Sequence, residues 1–316
     1  MLAGLSRQLL SFHGRYHKFF QRHTVNLSEK AFQYLKGLFQ ADKKNMERME
    51  ERVADPLQYF LSDSQWDWRP LNNQITKDGD RLLGGHNDSA LIIDEAGLPK
   101  KGKKPVGVPR QWCGQLGKVD NCQVAVFATL ARGSFSLPVD YRLYLPEEWI
   151  KDRKRCEKAK IPADQVVFKT KLEQALEMVF LARKNGVRFK WVGFDGFYGD
   201  NPAFLRQLAD NGEEFIGDIH KDHLLYYEDP KPLAPPPASE RGEKPKKLHA
   251  QTRSMRVDRW VQKPLAPGSA SPFGTAARER SLSIFYTGLF GFGTAGNLKP
   301  EDGIWWYDVK ETHQRR

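Results

Sequence analysis

The sequence predicts an α/β protein in which a mixed sheet is flanked by helices and follows a small helical region at the amino terminus. Apolar residues recur at helical spacing between residues 15 and 60. From residue 90 onward, three short apolar runs in close succession are followed by alternating helical and extended patterns. Runs in close succession predict hairpins and alternation predicts parallel pairing, so the sheet is expected to be mixed.

Composition limits the function classes. The chain has 316 residues and a formal net charge of +11, with 40% hydrophobic and 12% aromatic residues. This is enough for a packed core in two domains, or in one domain with an insertion. The positive charge favours a polyanionic partner, either nucleic acid or an anionic membrane surface. Membrane binding has little support, because the amino terminus has no apolar stretch long enough for a signal peptide or a membrane span.

The cysteine pattern indicates a reducing compartment. Cys113, Cys122 and Cys156 lack close pairing and have no neighbouring His at metal-ligand spacing. A disulfide framework and a zinc site are therefore not expected. We expect a cytoplasmic protein.

The amino-terminal region, residues 1–85, is predicted to be a small helical bundle. The stretch "SEKAFQYLKGLF" has apolar residues at helical spacing, and Ser28 is expected to begin it as part of a capping box. The stretch "SDSQWDWRPLNNQI" is expected to interrupt the helices with an aromatic turn.

The elements of the main domain follow in order. Three strands are predicted at "ALIID", "QVAVFATLA" and "VDYRLYLP". A long amphipathic helix over "KTKLEQALEMVFLARKNGV" ends at Gly186, and the strand "FKWVGFD" ends on Asp195. The next helix has Asn201 as its cap, Pro202 in its first turn and Gly212 at its exit, and the strand "EFIGDI" follows it.

Two of these strands, at Asp94 and Asp195, are predicted to end on an acid with a glycine close behind. Adjacent strands of this kind place both carboxylates side by side, and a proton or a divalent cation must then relieve their repulsion. Mg²⁺ prefers carboxylates together with phosphate oxygens and water, and a metal pair serves phosphodiester chemistry. Either Asp alone could instead be a turn or cap residue. A haloacid-dehalogenase-type phosphatase is set aside because it needs a second Asp where Ala96 stands.

The sequence resembles bacterial insertion-sequence transposases with a DDE superfamily endonuclease domain. The resemblance runs from about residue 12 to 283 and is strongest in "LIIDEAGLPKKGKKPVGVPRQWCGQLGKVDNCQVAVFATLA", "LPVDYRLYLPEEW" and "WVGFDGFYGDNPAFLRQL". It implies an RNase-H-like core, three acids (Asp, Asp, Glu) and Mg²⁺, in a protein that cuts and rejoins DNA ends. Asp94 matches the first acid of the family and Asp195 the second. Glu95 is expected to face away from the metal.

Basic residues near the first acid are candidates for binding DNA. The lysines that follow the first strand are expected to lie along the phosphate backbone, and polar residues of "RQWCGQLGKVDNCQ" could line the same groove. Alternatively, Gly114 and Gly117 form a bulged turn whose polar groups are satisfied internally. The DNA-binding candidates are Lys100, Lys101, Lys103, Lys104, Arg110 and Lys118.

The third acid of the family has no clear counterpart. Acids are present after residue 300, but none falls on an amphipathic helical pattern; they are Glu301, Asp302, Asp308 and Glu311. An offset reading frame through "IWWY" can encode a strand-rich segment of the kind that the family carries here. A frameshift near residues 283–285 is therefore expected, with a non-native tail over residues 284–316.

These observations predict three parts before the tail: the helical region 1–85, a catalytic core over 86–225, and the proline- and charge-rich start of an inserted element over 226–283. The resemblance implies a nucleoid-associated transposase that forms a homo-oligomer on transposon-end and target DNA, with the region 1–85 as a candidate for binding the DNA ends. Because the third acid is missing, we expect it to be defective. Two alternatives stay open: a non-catalytic product that occupies transposon ends, and an RNase-H-like repair nuclease.

Overall fold

The computed structural model describes residues 2–22, 24–53, 56–64, 66–220, 222–226, 251–256, 259 and 281–286. The chain divides into two compact units, Met1–Asp78 and Gly79–Arg316. The helices of the described residues are α1 (Leu2–Tyr16), α2 (Ser28–Gln40), α3 (Met46–Val53), α4 (Gln58–Ser62), α5 (Trp68–Leu83), α6 (Glu147–Lys151), α7 (Arg153–Lys158), α8 (Lys171–Lys184), α9 (Gly196–Gly199) and α10 (Pro202–Asp210). The strands are β1 (Gln21–Arg22), β2 (Val25–Asn26), β3 (Ala90–Pro99), β4 (Arg110–Cys113), β5 (Lys118–Arg132), β6 (Phe135–Leu143), β7 (Trp191–Phe194), β8 (Phe215–His220), β9 (Leu224–Tyr226), β10 (Ser254–Arg256) and β11 (Ser281–Tyr286).

The first unit is helical, with one short antiparallel pair, β1–β2. Its apolar side chains form two small clusters. One contains Tyr16, Phe20 and Phe60, with Trp66 packed against it, and the rings of Phe60 and Trp66 are stacked. The other surrounds the buried Met49. Tyr16, Phe20, Phe60 and Trp66 therefore belong to the core of the helical unit.

One sequence expectation for this unit holds in part and another is wrong. The helices are interrupted as expected, because α4 ends at Ser62 and α5 begins at Trp68, but the interruption is shorter than predicted. Pro70 already lies in the first turn of α5, where no N–H donor is needed. Ser28 does not cap α2, because it is the first helical residue and its backbone N–H is bonded to the Asn26 side chain. Local side-chain bonds of this kind compete with the expected capping geometry.

The second unit contains a mixed sheet of seven strands within the described part of the chain, in the order β11–β8–β7–β3–β5–β4, with β6 also paired to β5. The strands β3, β5 and β6 form an antiparallel meander, whereas β7 and β8 are parallel to β3. A meander that continues into parallel strands through a helical crossover is RNase-H-like. The predicted fold class, a mixed sheet flanked by helices, is confirmed.

The core of this unit lies between the sheet and its helices. Alternate residues of β5 are buried from Cys122 to Leu130, as expected for a strand with one covered face. The helix α8 covers that face with a buried stripe that includes Met178 and Val179. It begins at a capping box of Thr170 and Glu173, and Gly186 follows it in the left-handed region at φ +78°. Helix α10 has Asn201 as its cap and Pro202 in its first turn, as predicted.

Only part of the segment predicted to be an inserted element and a non-native tail falls within the described residues. β11 pairs antiparallel with β8 at one edge of the sheet and runs to Tyr286, across the expected frameshift position. Residues 287–316, and most of the expected inserted element, lie outside the described residues. The three cysteines are free and buried. No helix among the residues described is long and apolar enough to cross a lipid bilayer.

Candidate active site

Strand register brings the two predicted acids together. β3 and β7 pair in parallel over four residues, ending with Ile93 opposite Phe194. The next residue of each strand is an acid, Asp94 on β3 and Asp195 after β7. Paired strands lie about 4.8 Å apart, so the two acids leave the sheet as neighbours.

The sequence suggested that Asp94 ends its strand, but the strand continues beyond it. β3 continues to Pro99 because its other neighbour, β5, pairs with it over all ten residues from Ala90 to Pro99. The acid marks the point where parallel pairing stops and antiparallel pairing continues. This position leaves the Asp94 side chain accessible on one face of the sheet.

Asp195 is held by the short helix α9. Its Oδ1 accepts a hydrogen bond from the backbone N–H of Phe197 at 3.1 Å, which caps the helix. Gly199 lets α9 lie directly on β8, because a Cβ at this position would fall 1.9 Å from the carbonyl oxygen of Asp218. A side chain there would displace the helix that orients Asp195.

The site disfavours negative charge. Burial raises the pKa of Asp195, and the neighbouring carboxylates of Asp94 and Glu95 raise it further. Burial also raises the pKa of Asp94, against the lowering effect of a hydrogen bond from the Glu95 backbone N–H at 2.7 Å. Acids whose charges are disfavoured and that remain accessible are suited to a cationic ligand.

Glu95 connects the strand of the first acid to two helices. Its carboxylate is bonded to Lys171 Nζ, the first residue of α8, at 2.7 Å. It also accepts a hydrogen bond from the hydroxyl of Tyr198 on α9 at 3.1 Å. Glu95 therefore points toward the helical layer. It faces away from the two acids, as expected, but its charge still raises the pKa of Asp195.

Sequence reasoning missed Lys171 and Tyr198. Tyr198 is fully buried, and the partly buried Lys171 ammonium lies 5.1 Å from the centroid of the Phe197 ring. A signal for Lys171 is present in the sequence, since it directly follows the residue that caps α8. Tyr198 follows Asp195 by three residues, which is the spacing of one helical turn.

The predicted DNA-binding residues lie on the loop after β3 and on the β4–β5 hairpin. Lys101, Lys103 and Lys104 are exposed, whereas Lys100 is partly buried at the end of the strand. Arg110 and Lys118 are exposed on the hairpin. The structure thus places these residues on one continuous segment beyond Asp94, although Lys118 is opposite Cys113, on the face of the hairpin that is turned away from Asp94.

The hairpin also contains internal bonds of the kind that the alternative interpretation required. Lys118 Nζ lies 3.0 Å from Asp120 Oδ2 and holds the pKa of that carboxyl below its usual value. Gln111 donates to the Cys122 carbonyl, and Gly117 turns the chain at φ +62°. The β4–β5 hairpin therefore combines an internally bonded turn with exposed basic side chains.

In the part of the chain that the structure describes, no third acid joins Asp94 and Asp195 in a metal-binding arrangement. Among the described residues, no group of three or more His, Cys, Asp or Glu side chains is arranged to hold a metal ion. Glu301, Asp302, Asp308 and Glu311 lie outside the described residues. A separate open cavity of about 610 Å³ belongs to the helical unit; it is lined by six residues between Lys18 and Pro70 and contains neither Asp94 nor Asp195.

The fold is consistent with that of a DDE superfamily endonuclease, and the family model of that description matches residues 18–265. The match covers most of the chain, so the chain belongs to this family. It is also 30% identical over 170 residues to the probable transposase for insertion sequence element IS701 of Microchaete diplosiphon. That alignment covers 54% of this chain and 41% of the relative, so the matched region spans about two-fifths of the relative's length.

Proposed function

We propose that this chain is a transposase that acts on the DNA of an insertion sequence, with Asp94 and Asp195 as its catalytic and metal-binding acids. The observation that carries the proposal is the shared register of β3 and β7, which presents the two acids as neighbours on an RNase-H-like sheet. The similarity to a probable insertion-sequence transposase supports the same function.

The residues present fit a divalent cation, which DDE superfamily endonucleases generally use. Two accessible carboxylates whose pKa values are raised are hard oxygen ligands that Mg²⁺ accepts. Bound at Asp94 and Asp195, Mg²⁺ would supply charge stabilisation and an activated oxygen nucleophile for phosphodiester cleavage. The α9 cap would orient Asp195, and the bonds of Glu95 to Lys171 and Tyr198 would hold the two acids in register.

DNA is the proposed partner, bound through its phosphates. Lys100, Lys101, Lys103, Lys104, Arg110 and Lys118 supply the basic surface beyond Asp94. Cations that displace counterions from phosphates provide most of the sequence-independent affinity for DNA. The helical region 1–85 is proposed to bind the transposon ends, and the protein to act on DNA as a homo-oligomer.

We also propose that this product cleaves poorly. The acids after residue 300 do not follow the helical pattern that the family's Glu requires, and a frameshift near residues 283–285 accounts for this. The nucleotide sequence tests the frameshift directly. Early stop codons in the offset frame would remove this explanation.

Metal binding tests the site without relying on cleavage. We expect Mn²⁺, used as a paramagnetic substitute for Mg²⁺, to bind the full chain and to be lost in Asp94→Asn and Asp195→Asn. Asp164→Asn, at an exposed position of the same unit, is the matched control. Undiminished Mn²⁺ binding in both site variants would show that these acids are not the ligands.

Cleavage assays separate the proposal from its alternatives. A version with the carboxyl-terminal part restored from the offset frame should cut DNA that carries the element's terminal inverted repeats, in a Mg²⁺-dependent manner. A non-catalytic end-binding product would bind these repeats without cutting in either version. A repair nuclease would instead prefer branched or hybrid substrates.

A further inference from the structure

The β4–β5 hairpin exposes a large aromatic side chain. Trp112 keeps 62% of its surface exposed, and its cross-strand partner Val119 keeps 50%. Leu116, in the turn between the strands, is 43% exposed. Nothing in the hairpin requires an indole here, because its buried positions are taken by Cys113 and Cys122 on the opposite face. An exposed Trp at the centre of an apolar patch indicates a ligand surface.

This patch lies on the same face of the sheet as Asp94. Trp112 is opposite Val119, and Asp94 is opposite Phe127. Both partners are odd-numbered residues of the continuous strand β5, and alternate residues of a strand share a face. Eight residues of strand separate them, which corresponds to about 27 Å. About eight base-pair steps of duplex DNA cover that length.

Charge on this face favours a polyanion. The pairs between Trp112 and Asp94 are Arg110–Asn121, Leu98–Gln123 and Ala96–Ala125, so this part of the face has one cation and no acid. Asp120, the acid of the hairpin, is opposite Gln111 and points to the other face.

The lysine-bearing loop is attached midway along this path. Gln123 Nε2 donates to the Val106 carbonyl at 2.8 Å, which ties the loop to β5 between the level of Trp112 and that of Asp94. The loop carries Lys101, Lys103 and Lys104, all exposed. An exposed aromatic ring, together with basic side chains along a stretch of the face that has no acid before Asp94, is the combination by which proteins stack single-stranded bases.

We propose that the β4–β5 hairpin is a nucleobase-binding element, in which Trp112 stacks on an unpaired base of DNA whose backbone is held by Arg110 and the neighbouring lysines. The inference rests on the proposed function in requiring that the chain binds DNA. It adds a preference for DNA with an unpaired base about one helical turn or less from the position of the acids.

The test compares two DNA probes of equal length with the full chain, in the presence of EDTA so that cleavage plays no part. One is a fully paired blunt duplex, and the other is a forked duplex with 2-aminopurine at an unpaired position. We expect tighter binding of the fork and quenching of the 2-aminopurine fluorescence as it stacks. Trp112→Ala should weaken fork binding about 5- to 140-fold and abolish the quenching. Binding of the blunt duplex should change little.

Two further variants separate stacking from general damage. Trp112→Phe keeps an aromatic face, so it should retain most of the fork preference and the quenching. Phe135→Ala removes an equally prominent ring, 73% exposed, from the other end of the β5–β6 meander and should behave as the unmodified chain. Thermal unfolding confirms that each variant is folded.

The results separate failure of the proposed DNA-binding function from failure of the base-stacking role of Trp112. If the unmodified chain binds neither probe, the proposed function fails and this inference fails with it. If it binds DNA, but Trp112→Ala retains the fork preference and the quenching, the inference alone is wrong. The inference is also wrong if Trp112→Ala changes only the oligomeric state, because the patch would then be a contact between copies of the chain.

Discussion

Asp195 carries a charge that the folded state disfavours. Burial and the carboxylates of Asp94 and Glu95 raise its pKa, and only the N–H groups at the start of α9 oppose the effect. A carboxyl whose pKa is raised by folding stabilises the fold only when protonated. That stability is fully present below the ordinary value of 3.8 and is lost as the pH rises through the raised value.

Neutralising Asp195 should therefore stabilise the folded chain at neutral pH. Asp195→Asn removes the repulsion and keeps the helix cap, because an amide oxygen accepts the Phe197 N–H equally well. In EDTA at neutral pH, we expect its melting temperature to rise, on the order of 1–2 °C. The gain should disappear in acid, where the Asp carboxyl is already neutral. Scanning calorimetry across pH measures this, and a lower melting temperature at neutral pH would contradict it.

The second prediction concerns Lys171, for which the chain supplies its own control. Lys171 pairs with Glu95 where both side chains are mostly covered, at 20% and 25% exposure, whereas Lys169 pairs with Glu177 at 41% and 46%. Lys171→Met should cost about 1–3 kcal/mol of unfolding free energy, because it leaves a shielded carboxylate without its cation.

The control is Lys169→Met, which should cost less than about 1 kcal/mol because water replaces an exposed partner. Adding Glu95→Gln to Lys171→Met should recover most of the loss, since the uncompensated charge is gone. Urea unfolding of the variants compares these free energies. Equal costs at the two lysines would mean that the Glu95 pair has no special role.

At the scale of elements, α9 connects the two halves of the site. It is one helical turn long, yet it caps on Asp195, donates from Tyr198 to Glu95 and lies on β8 through Gly199. Isolated helices of this length are unstable in water, so its stability must come from these contacts. The position of Asp195 therefore depends on packing between α9 and β8.

The third prediction tests that packing. Alanine normally favours a helix over glycine, so Gly199→Ala should stabilise α9 if space were available. Because the added Cβ would meet the Asp218 carbonyl at 1.9 Å, we expect a loss of about 1–3 kcal/mol instead. Gly114→Ala, in open space at the hairpin turn, is the control and should be nearly neutral. A stabilised Gly199→Ala would show that α9 is free to move away from β8.

Elements with strong local signals were predictable from sequence. The capped and terminated helix α10 and the meander strands follow from Asn201, Pro202 and the two-residue alternation of β5. The start of α5 at Trp68 was placed too late because Pro70 and the aromatic residues before it suggest a turn, although proline is also tolerated in the first turn of a helix. The link from Glu95 to Lys171 was not predictable, since 76 residues separate the partners and only the tertiary fold brings them together.

At the scale of the whole molecule, charge determines how strongly DNA binding should depend on salt. The chain has 50 Lys and Arg against 39 Asp and Glu, and six of the cations lie on the segment that is proposed to bind DNA. Each phosphate contact releases condensed counterions, so affinity should fall linearly on a log–log plot against salt.

The slope of log affinity for DNA against log salt concentration can be predicted from the number of phosphate contacts. Six contacts correspond to a slope of about −5 for duplex DNA. Replacing Lys101 and Lys103 with Gln should make the slope shallower by about 2, since two contacts are lost. Lys184→Gln, at the exposed end of α8, should leave it unchanged. Fluorescence anisotropy at several salt concentrations measures the slope, and a value near zero would exclude backbone binding.

The double pairing of β3 restricts how this protein can change in length during evolution. Over residues 90–93 the strand is held by β7 on one side and β5 on the other, and both ladders determine which residue emerges as Asp94. One inserted or deleted codon there would exchange Asp94 with a neighbour and turn the acid toward α8. No compensating slip is available, because two partners of opposite direction would have to shift together. In-frame indels should therefore be tolerated in the loop 100–109 and in the turn 114–117 of diverged copies, and be eliminated within residues 90–94.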